Sequence, residues 1–479
     1  MTTNMKLIHN ILSKAALAGL VLTATSSCND FLNEIPKGQK TPTTWEDYNA
    51  FLRNNNTSNY ETEQLLYLIG DYFRSPTALN NSELTRANYL YLEDVNRTLI
   101  NSTDYMAYYS AYEMMFYWNL IIEDGMNTTE ATEEQRQMLV AQGKVLRAMT
   151  YHYIVNYHAD QYWTDTRDKL SVPLLTSASV EAPSPQGTLQ QVYDLMVSDL
   201  TSAIPYLPEY GETILHPTKA AGYGMLARVL LSMGRYDEAL AAAENALAIN
   251  DALYDWVKFY NDNKTRIEDT SVWNSATTVN PEMDNPENYI YHQASSSYWQ
   301  GQSGAALTLS VERAEKFEPG DIRLLAHWRY YVTSAGVEYY RGIYGNVPNF
   351  GGIRSAEMYY IKAECQARAG QWQDALETVN TVRRTRFLPE YYTDLTASGQ
   401  TEAINKIIDD KANEFVQTQV IFCDYRRLNK EGLYPRTLTK TIDGVTYTLR
   451  PDSHMWIMPY PIQVLDNPGN DPIVQTVDK

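Results

Sequence analysis

Apolar and small residues recur in the same order in two separate stretches of the chain. In residues 218–249 an apolar run reaches Gly234, and in residues 354–384 a similar run reaches Gly370. An aromatic residue follows two positions after each glycine, and an Ala-Leu pair comes next. The apolar positions on both sides keep helical spacing, and a glycine relieves backbone strain where a helix ends. Both stretches are therefore predicted to be pairs of helices joined at a glycine.

These paired helices have the pattern of tetratricopeptide hairpins. One hairpin cannot bury its apolar face alone, so neighbouring helices should flank it, and residues 135–157 and 188–204 are the candidates. Thr44, Thr132 and Thr188 each precede an Asp or Gln by three positions. This spacing is typical of a capping box, so a helix is predicted to begin after each threonine.

The chain outside these helices is predicted to be rich in loops. Residues 255–310 contain many Asn, Ser, Gln and aromatic residues with little periodicity, which is typical of long surface loops. Two short β-hairpins are expected, at 330–340 and at 438–449, where Asp443-Gly444 suits a two-residue turn. The predicted fold class is all-α, with tetratricopeptide-repeat helical pairs, long loop-rich insertions and small β-hairpins.

The N-terminus carries the parts of a secretory leader. An apolar stretch at 15–22 is too short to span a bilayer, and small residues lead from it to Cys28. These small residues resemble a lipobox without its usual leucine. We predict a lipoprotein signal peptide at 1–27 and lipidation of Cys28, with a plain signal peptide as the alternative. Residues 28–479 are predicted to form a single domain with a loop-rich ligand-binding region at about 255–350.

The charge balance argues against some partners. Lys and Arg number 39 and Asp and Glu number 58, which gives a net charge of −19. A phosphate backbone repels such an acidic body, and no basic stripe offsets it, so no nucleic acid partner is expected. Attachment to an anionic membrane by charge is disfavoured too, so a lipid anchor is the one membrane attachment we expect. Cys365 and Cys423 are expected to be buried thiols, and a disulfide between them is left open.

Motifs for covalent chemistry are absent from the sequence. It contains no HExxH, no GxSxG, no P-loop and no strand-bound GxGxxG. The seven histidines lie apart, so their spacing does not support a metal cluster. His152 and His158, on one predicted helix, are expected to be polar core or rim residues. We therefore expect a binding protein and not an enzyme, with no cofactor and no metal, although counting carboxylates leaves a glycosidase pair open.

Aromatic residues mixed with polar ones indicate where a ligand could bind. Tyr outnumbers Phe by 38 to 10, and a ring with a polar tip suits a partly wetted surface, although many of these rings would simply cap helical layers. Carbohydrate binding needs flat apolar faces together with polar groups for the hydroxyls. Trp299 is the strongest single candidate because it lies outside a periodic stretch. Tyr289 and Tyr291 alternate as residues of a strand do, so they could be structural. The candidate ligand contacts are Tyr72, Phe73, Tyr89, Tyr91, Tyr289, Tyr291, Tyr298, Trp299 and Gln300.

Segments along most of the chain resemble, in order, the SusD/RagB family. They begin with the cysteine stem and an LRA-x-x-Y helix, continue through the two tetratricopeptide pairs and end with the segments that close the family's fold. No one segment is specific by itself, but their order is. Apart from the stem and the pairs, the matching segments are 146–151, 172–174, 192–208, 413–427, 458–459 and 467–468.

The resemblance implies a lipoprotein on the outer membrane of Bacteroidetes, facing the cell exterior. Members of this family cap a SusC-like TonB-dependent transporter and hand captured ligand to it. Most bind glycans, one branch handles peptides, and their ligand loops tend to come from the two regions that hold the candidates above. Our leading hypothesis is a glycan-binding uptake lipoprotein. The alternatives are a RagB-like peptide binder and a transporter-docking protein without a ligand pocket of its own.

Overall fold

The computed structural model describes residues 42–54, 60, 63–101, 105–179, 181–269, 281–292, 308–343, 349 and 351–477. The predicted leader at 1–27 and Cys28 lie outside these residues. The helices are α1 (Trp45–Leu52), α2 (Glu63–Ile69), α3 (Pro76–Leu79), α4 (Glu83–Tyr89), α5 (Arg97–Ile100), α6 (Tyr105–Asp124), α7 (Glu133–His158), α8 (Leu189–Ala203), α9 (Lys219–Ser232), α10 (Tyr236–Ile249), α11 (Trp256–Glu268), α12 (Val311–Ala314), α13 (Ile322–Leu325), α14 (Ser355–Arg368), α15 (Trp372–Arg383), α16 (Gln400–Glu414), α17 (Gln419–Glu431) and α18 (Ile462–Leu465). The strands are β1 (Leu170–Pro173), β2 (Gln186–Thr188), β3 (Asn288–Ile290), β4 (Thr308–Leu309), β5 (Trp328–Val332), β6 (Glu338–Gly342), β7 (Ile353–Arg354), β8 (Leu438–Ile442) and β9 (Val445–Leu449).

Both predicted helical hairpins are present. Helices α9 and α10 pack together around Gly234, and α14 and α15 do so around Gly370. The two glycines have φ angles of +72° and +86°, in the left-handed region that favours glycine. The hairpins also pack on each other, through α10 and α14. The tetratricopeptide-like core that the sequence predicts is therefore confirmed.

The helices expected to flank the repeats are in place. Helix α7 packs on α6 and α8, and α8 packs on α9, which extends the stack toward the N-terminus. Each of Thr44, Thr132 and Thr188 forms the capping box that its spacing predicts. One hydrophobic cluster includes residues from Tyr48 to Met458, so the flanking helices and the repeats bury a common core.

Both predicted β-hairpins are confirmed. Strands β5 and β6 pair antiparallel over 328–342, and β8 and β9 pair over 438–449. In the second hairpin Asp443 and Gly444 have φ angles of +51° and +78°, as a type I′ turn requires at both central positions. The described sheets are small, with two strands each except for the order β4–β6–β5.

The prediction of long surface loops over 255–310 is wrong for its first part, which forms helix α11. The Asp255 side chain accepts a hydrogen bond from the Lys258 amide at 2.8 Å and caps the helix start. Trp256, Phe259 and Ile267 are buried on one side of the helix, in a second, smaller hydrophobic cluster. Only a narrow stripe of this helix is buried, so few of its positions are apolar. The many polar residues between them make the helical spacing hard to recognise in the sequence.

A buried network of ion pairs fastens this part of the chain to the repeat helices. Arg386 is fully buried and contacts Glu287 at 2.7 Å and Glu414 at 2.9 Å. Arg354 contacts the same two carboxylates, each at 3.1 Å. Burial alone would raise the pKa of Glu414, but the two arginines outweigh it and lower that pKa. Glu287 directly precedes β3, so the network joins β3 to α16.

Cys365 and Cys423 are free and buried, as expected for structural thiols. Burial raises the pKa of each thiol to about 12, so neither is a reactive thiolate at neutral pH. His152 and His158 are buried as well, and burial lowers their pKa values to about 3 and about 4. Within the described ranges, no helix has both the length and the apolar character needed to cross a bilayer.

Candidate ligand-binding site

The sheet β4–β6–β5 carries partly exposed aromatic side chains on one face. Tyr331 of β5 pairs with Tyr339 of β6, and Thr308 of β4 pairs with Arg341 of β6. Directly opposed residues point to the same side of a sheet, and so do residues two apart in a strand. These four side chains therefore lie on one face.

Part of the opposite face of the sheet packs against the protein interior, although Tyr330 and Val332 on that face are exposed. Leu309 and Trp328 are buried there against Phe317, and Tyr340 packs on the same cluster. Because this side is packed, the strands are held in place and the tyrosines on the other side have a firm support.

Phe73, from the N-terminal part of the chain, completes a row of three rings. Its ring stacks on Tyr339 with the centroids 5.3 Å apart and an interplanar angle of 15°. Tyr339 in turn meets Tyr331 at 5.3 Å and 64°. All three rings are partly exposed, as is Arg341 beside them. We call Phe73, Tyr331, Tyr339 and Arg341 the aromatic face.

Backbone and buried side chains fix Phe73 at the edge of the sheet. Its amide donates to the Thr308 carbonyl at 3.1 Å, and the Thr308 hydroxyl donates back to the Phe73 carbonyl at 2.8 Å. Two residues earlier, the buried Asp71 carboxylate accepts hydrogen bonds from the Arg313 guanidinium at 2.7 Å and from the backbone amide of Gln417 at 2.9 Å. Segments from three distant parts of the sequence therefore set the position of this ring.

The aromatic face can supply both kinds of contact that a sugar needs. The ring faces offer flat apolar surface for CH groups, while the tyrosine hydroxyls and the guanidinium offer hydrogen bonds. Burial and the neighbouring Tyr331 raise the pKa of the Tyr339 hydroxyl, against the opposing charge of Arg341. The hydroxyl is therefore protonated at neutral pH and can donate as well as accept.

The other ligand contacts predicted in the N-terminal part of the chain lie in the protein interior. Tyr72, Tyr89 and Tyr91 are 2%, 4% and 6% exposed. The side-chain nitrogen of Lys440 lies over the rings of Tyr89 and Tyr91, at 3.9 and 4.6 Å from their centroids. The guanidinium of Arg74 lies 5.0 Å from the centroid of the Tyr72 ring. In the described structure these rings hold cations of the chain itself, and ligand contact by them stays a prediction.

Two of the ligand contacts predicted later in the chain are buried at or near strand β3. Tyr289 and Tyr291 are each 2% exposed. The Tyr289 hydroxyl donates to the Asn250 carbonyl, so this ring joins the strand to the end of α10. Their predicted contact with ligand also remains a prediction. Three further candidates fall outside the described residues: Tyr298, Trp299 and Gln300.

The sequence reasoning did not single out Tyr331, Tyr339 or Arg341. The hairpin predicted at 330–340 lies within the ligand-binding region expected at about 255–350, but none of its residues was a predicted contact. A signal was available, because each strand of that hairpin contains a Tyr-Tyr doublet. In a strand, such a doublet puts one ring on each face, so one ring of each pair had to lie on the side away from the core.

The described residues show no metal-binding cluster. Within them, no three His, Cys, Asp or Glu side chains come together in a way that could hold a metal ion. The two histidines of α7 have other contacts: His152 lies 3.3 Å from the Ser232 hydroxyl and His158 lies 2.9 Å from the Met458 carbonyl.

Solved structures with the same fold come from Bacteroides species. A SusD-like carbohydrate binding protein from Bacteroides vulgatus matches with a TM-score of 0.66 and 15% identity, over 91% of this chain and 100% of its own. A SusD superfamily protein from Bacteroides thetaiotaomicron matches with a TM-score of 0.68 and 17% identity, over the same shares. A putative sugar binding protein from Bacteroides vulgatus gives 0.67 and 15%, over 91% and 99%. At these identities the likeness shows the fold alone.

Family models match the sequence itself along most of its length. A model described as starch-binding and associating with the outer membrane matches residues 30–231, and the SusD family model matches residues 236–470. The comparison with curated proteins gave no match. The two family matches adjoin each other, and together with the shared fold they show that the chain belongs to the SusD/RagB family.

Proposed function

We propose that this protein binds oligosaccharides or polysaccharides through its aromatic face. The observation that carries the proposal is the row of Phe73, Tyr339 and Tyr331, held at centroid spacings of 5.3 Å on a supported sheet. The faces of these rings that do not contact one another can stack on apolar sugar faces, while hydroxyls and a guanidinium at their edges meet the sugar hydroxyls. The family described as starch-binding gives this interpretation its context.

The same proposal includes an anchored, cell-surface location and a partner. We propose that Cys28 carries the lipid, that the protein faces the exterior of the outer membrane, and that it delivers its ligand to a SusC-like TonB-dependent transporter. Family membership supports these statements. Labelling with palmitate tests the anchor: the label should enter the natural chain and be lost in Cys28→Ala. Co-purification of the transporter with the tagged protein tests the partner.

Affinity electrophoresis tests the binding site. At least one of the soluble polysaccharides cast in a native gel should bind the purified protein and measurably retard it. Tyr339→Ala should weaken binding to that polymer about tenfold or more, since it removes the central ring of the row. Tyr330→Ala is the matched control, because Tyr330 is in the same hairpin but points to the opposite face and is 45% exposed.

The outcomes separate the alternatives. Retardation that Tyr339→Ala abolishes and Tyr330→Ala leaves unchanged supports glycan binding at the aromatic face. Equal loss in both variants would mean that the hairpin is only structural. If no polysaccharide retards the protein and a tryptic peptide digest binds it in calorimetry, the function is peptide uptake and the proposal is wrong.

A further inference from the structure

Arg341 is the cation of the aromatic face, and it lacks a carboxylate partner. It is partly buried on strand β6, directly opposite Thr308 and two residues from Tyr339. Across the part of the chain that the structure describes, its side chain makes no ion pair and no hydrogen bond. It interacts electrostatically with the Tyr339 hydroxyl, which is uncharged at neutral pH, and Arg329 of strand β5 lies directly opposite it.

Two other partly buried arginines of the chain are neutralised by carboxylates. Arg313, with a side chain 11% exposed, pairs with Asp71 at 2.7 Å. Arg354, 14% exposed, pairs with both Glu287 and Glu414. A partly buried guanidinium has lost part of its hydration, and such a group gains most from an anion that brings two oxygens in one plane. Arg341 therefore differs from these two in having its donors available to a ligand.

The net charge of the whole chain is opposite in sign to the local charge of Arg341. At −19 the protein repels an anionic polymer as a whole. At physiological ionic strength this repulsion is screened beyond about 8 Å, so a contact at the surface is decided by the nearest charges. An anionic group that reaches the aromatic face meets Arg341 there, and Arg329 lies directly opposite it on strand β5.

We propose that the aromatic face selects acidic glycans, and that Arg341 binds their carboxylate or sulfate groups while Phe73, Tyr331 and Tyr339 contact the sugar rings. This inference rests on the proposed function and names its substrate class. A guanidinium fits both kinds of anion with paired hydrogen bonds, so the shared chemistry is a planar pair of anionic oxygens on a sugar.

Pairs of polymers that differ only in charge test the proposal. Polygalacturonate against its fully methyl-esterified form tests carboxylates, and dextran sulfate against dextran tests sulfate. We expect the purified protein to bind the charged member of at least one pair about tenfold more tightly than its neutral counterpart. Arg341→Gln should remove that preference, so that the charged and the neutral polymer of the pair bind with affinities within about twofold of each other.

Two further variants sharpen the comparison. Arg341→Lys keeps the charge but loses the planar fork, so it should restore only part of the preference. Arg167→Gln removes the same charge from an exposed position in the turn after α7, where the side chain is 53% exposed, and should leave the preference unchanged. Thermal unfolding of each variant shows whether the fold is intact.

Failure of this inference differs from failure of the proposed function. If charged and neutral polymers bind equally, or if Arg341→Gln leaves the preference intact, acidic selection is wrong while glycan binding stands. If none of these polymers binds while another polysaccharide retards the protein in affinity electrophoresis, acidic selection is wrong and glycan binding stands. If polyglutamate binds as tightly as polygalacturonate and the neutral polymers do not bind, the face takes acidic peptides and the inference is overturned.

Discussion

The side-chain nitrogen of Lys440 lies 3.9 Å from the centroid of the Tyr89 ring and 4.6 Å from that of Tyr91. It also donates hydrogen bonds to the carbonyl oxygens of Tyr67, at 2.6 Å, and of Tyr89, at 3.0 Å. Lys440 belongs to strand β8, whereas the tyrosines belong to α2, α4 and the turn after it. One lysine therefore fastens the C-terminal hairpin to the N-terminal helices.

Replacing Lys440 should destabilise the protein. Lys440→Met keeps much of the chain length but leaves two buried carbonyl groups without their donor, at a cost of about 1–3 kcal/mol in the free energy of unfolding. Denaturation by urea measures this difference. Lys258→Met is the control, since that side chain is 70% exposed and should change the free energy by less than about 0.5 kcal/mol. Equal effects of the two variants would contradict the structural role of Lys440.

The two repeat glycines should differ in their tolerance of a methyl group. A Cβ at Gly234 would lie 2.8 Å from Cζ3 of Trp163, whereas a Cβ at Gly370 would meet nothing within 4 Å. Both positions have a positive φ, so Gly370→Ala should cost about 1–2 kcal/mol from the backbone alone. Gly234→Ala adds a clash with a ring and should cost about 2–4 kcal/mol.

Calorimetric unfolding of the two alanine variants gives this comparison directly. Gly399→Ala is a suitable control, because its φ of −178° is ordinary extended backbone and nothing lies within 4 Å. A smaller loss at Gly234 than at Gly370 would show that Trp163 moves aside freely.

The features that the sequence predicts well are those encoded within a few residues. Three capping boxes, two repeat glycines and the Asp443-Gly444 turn each depend on short spacings, and the structure has all of them. The segments that resemble the SusD/RagB family also follow one another in the family's order, so family membership could be predicted from the sequence. The ligand contacts were harder, because a tyrosine is equally suited to a wet surface and to a buried position with one polar partner.

The aromatic face depends on contacts between distant segments. Phe73 is adjacent to Tyr72 in the sequence, yet one ring is partly exposed and the other is 2% exposed. What separates them is the hydrogen bonding of Phe73 to Thr308, which no local pattern contains. Helix α11 escaped prediction for a related reason, since its burial comes from residues near 322–343.

His292 should make stability depend on pH. In the unfolded chain its imidazole has a pKa near 6.5, but burial, together with the charge of Arg228, lowers that pKa to about 3 in the fold. Between these values the unfolded chain binds more protons, so the free energy of unfolding falls as the pH drops through this window. From pH 7 to pH 5 the loss due to this residue is about 2 kcal/mol.

His292→Phe should lessen this loss because the ring no longer takes up a proton. Its unfolding free energy should fall about 2 kcal/mol less than that of the natural protein between pH 7 and pH 5. Tyr60→Phe is the control, as Tyr60 lies 5.6 Å from His292 between ring centroids and does not titrate in this range. Parallel stability curves for the natural protein and His292→Phe would show that His292 takes up no proton on unfolding.

Neighbouring arginines offer the sharpest test of the buried ion network. Arg386 is fully buried between Glu287 and Glu414, whereas Arg384 is 45% exposed and pairs with Glu377 at 2.7 Å. Arg386→Met strips one cation from two buried carboxylates, which should cost about 3–5 kcal/mol. Arg384→Met removes a solvent-exposed pair and should cost about 0–1 kcal/mol.

Salt and a second substitution distinguish this account from a simple loss of packing. Sodium chloride at 1 M should abolish the small effect of Arg384→Met and leave that of Arg386→Met nearly unchanged, because buried pairs are screened little. Adding Glu287→Gln to Arg386→Met should recover part of the lost stability, since a neutral amide no longer needs the missing cation. If the double variant is instead as unstable as the sum of the single ones, the large cost of Arg386→Met comes from lost packing and not from stranded charge.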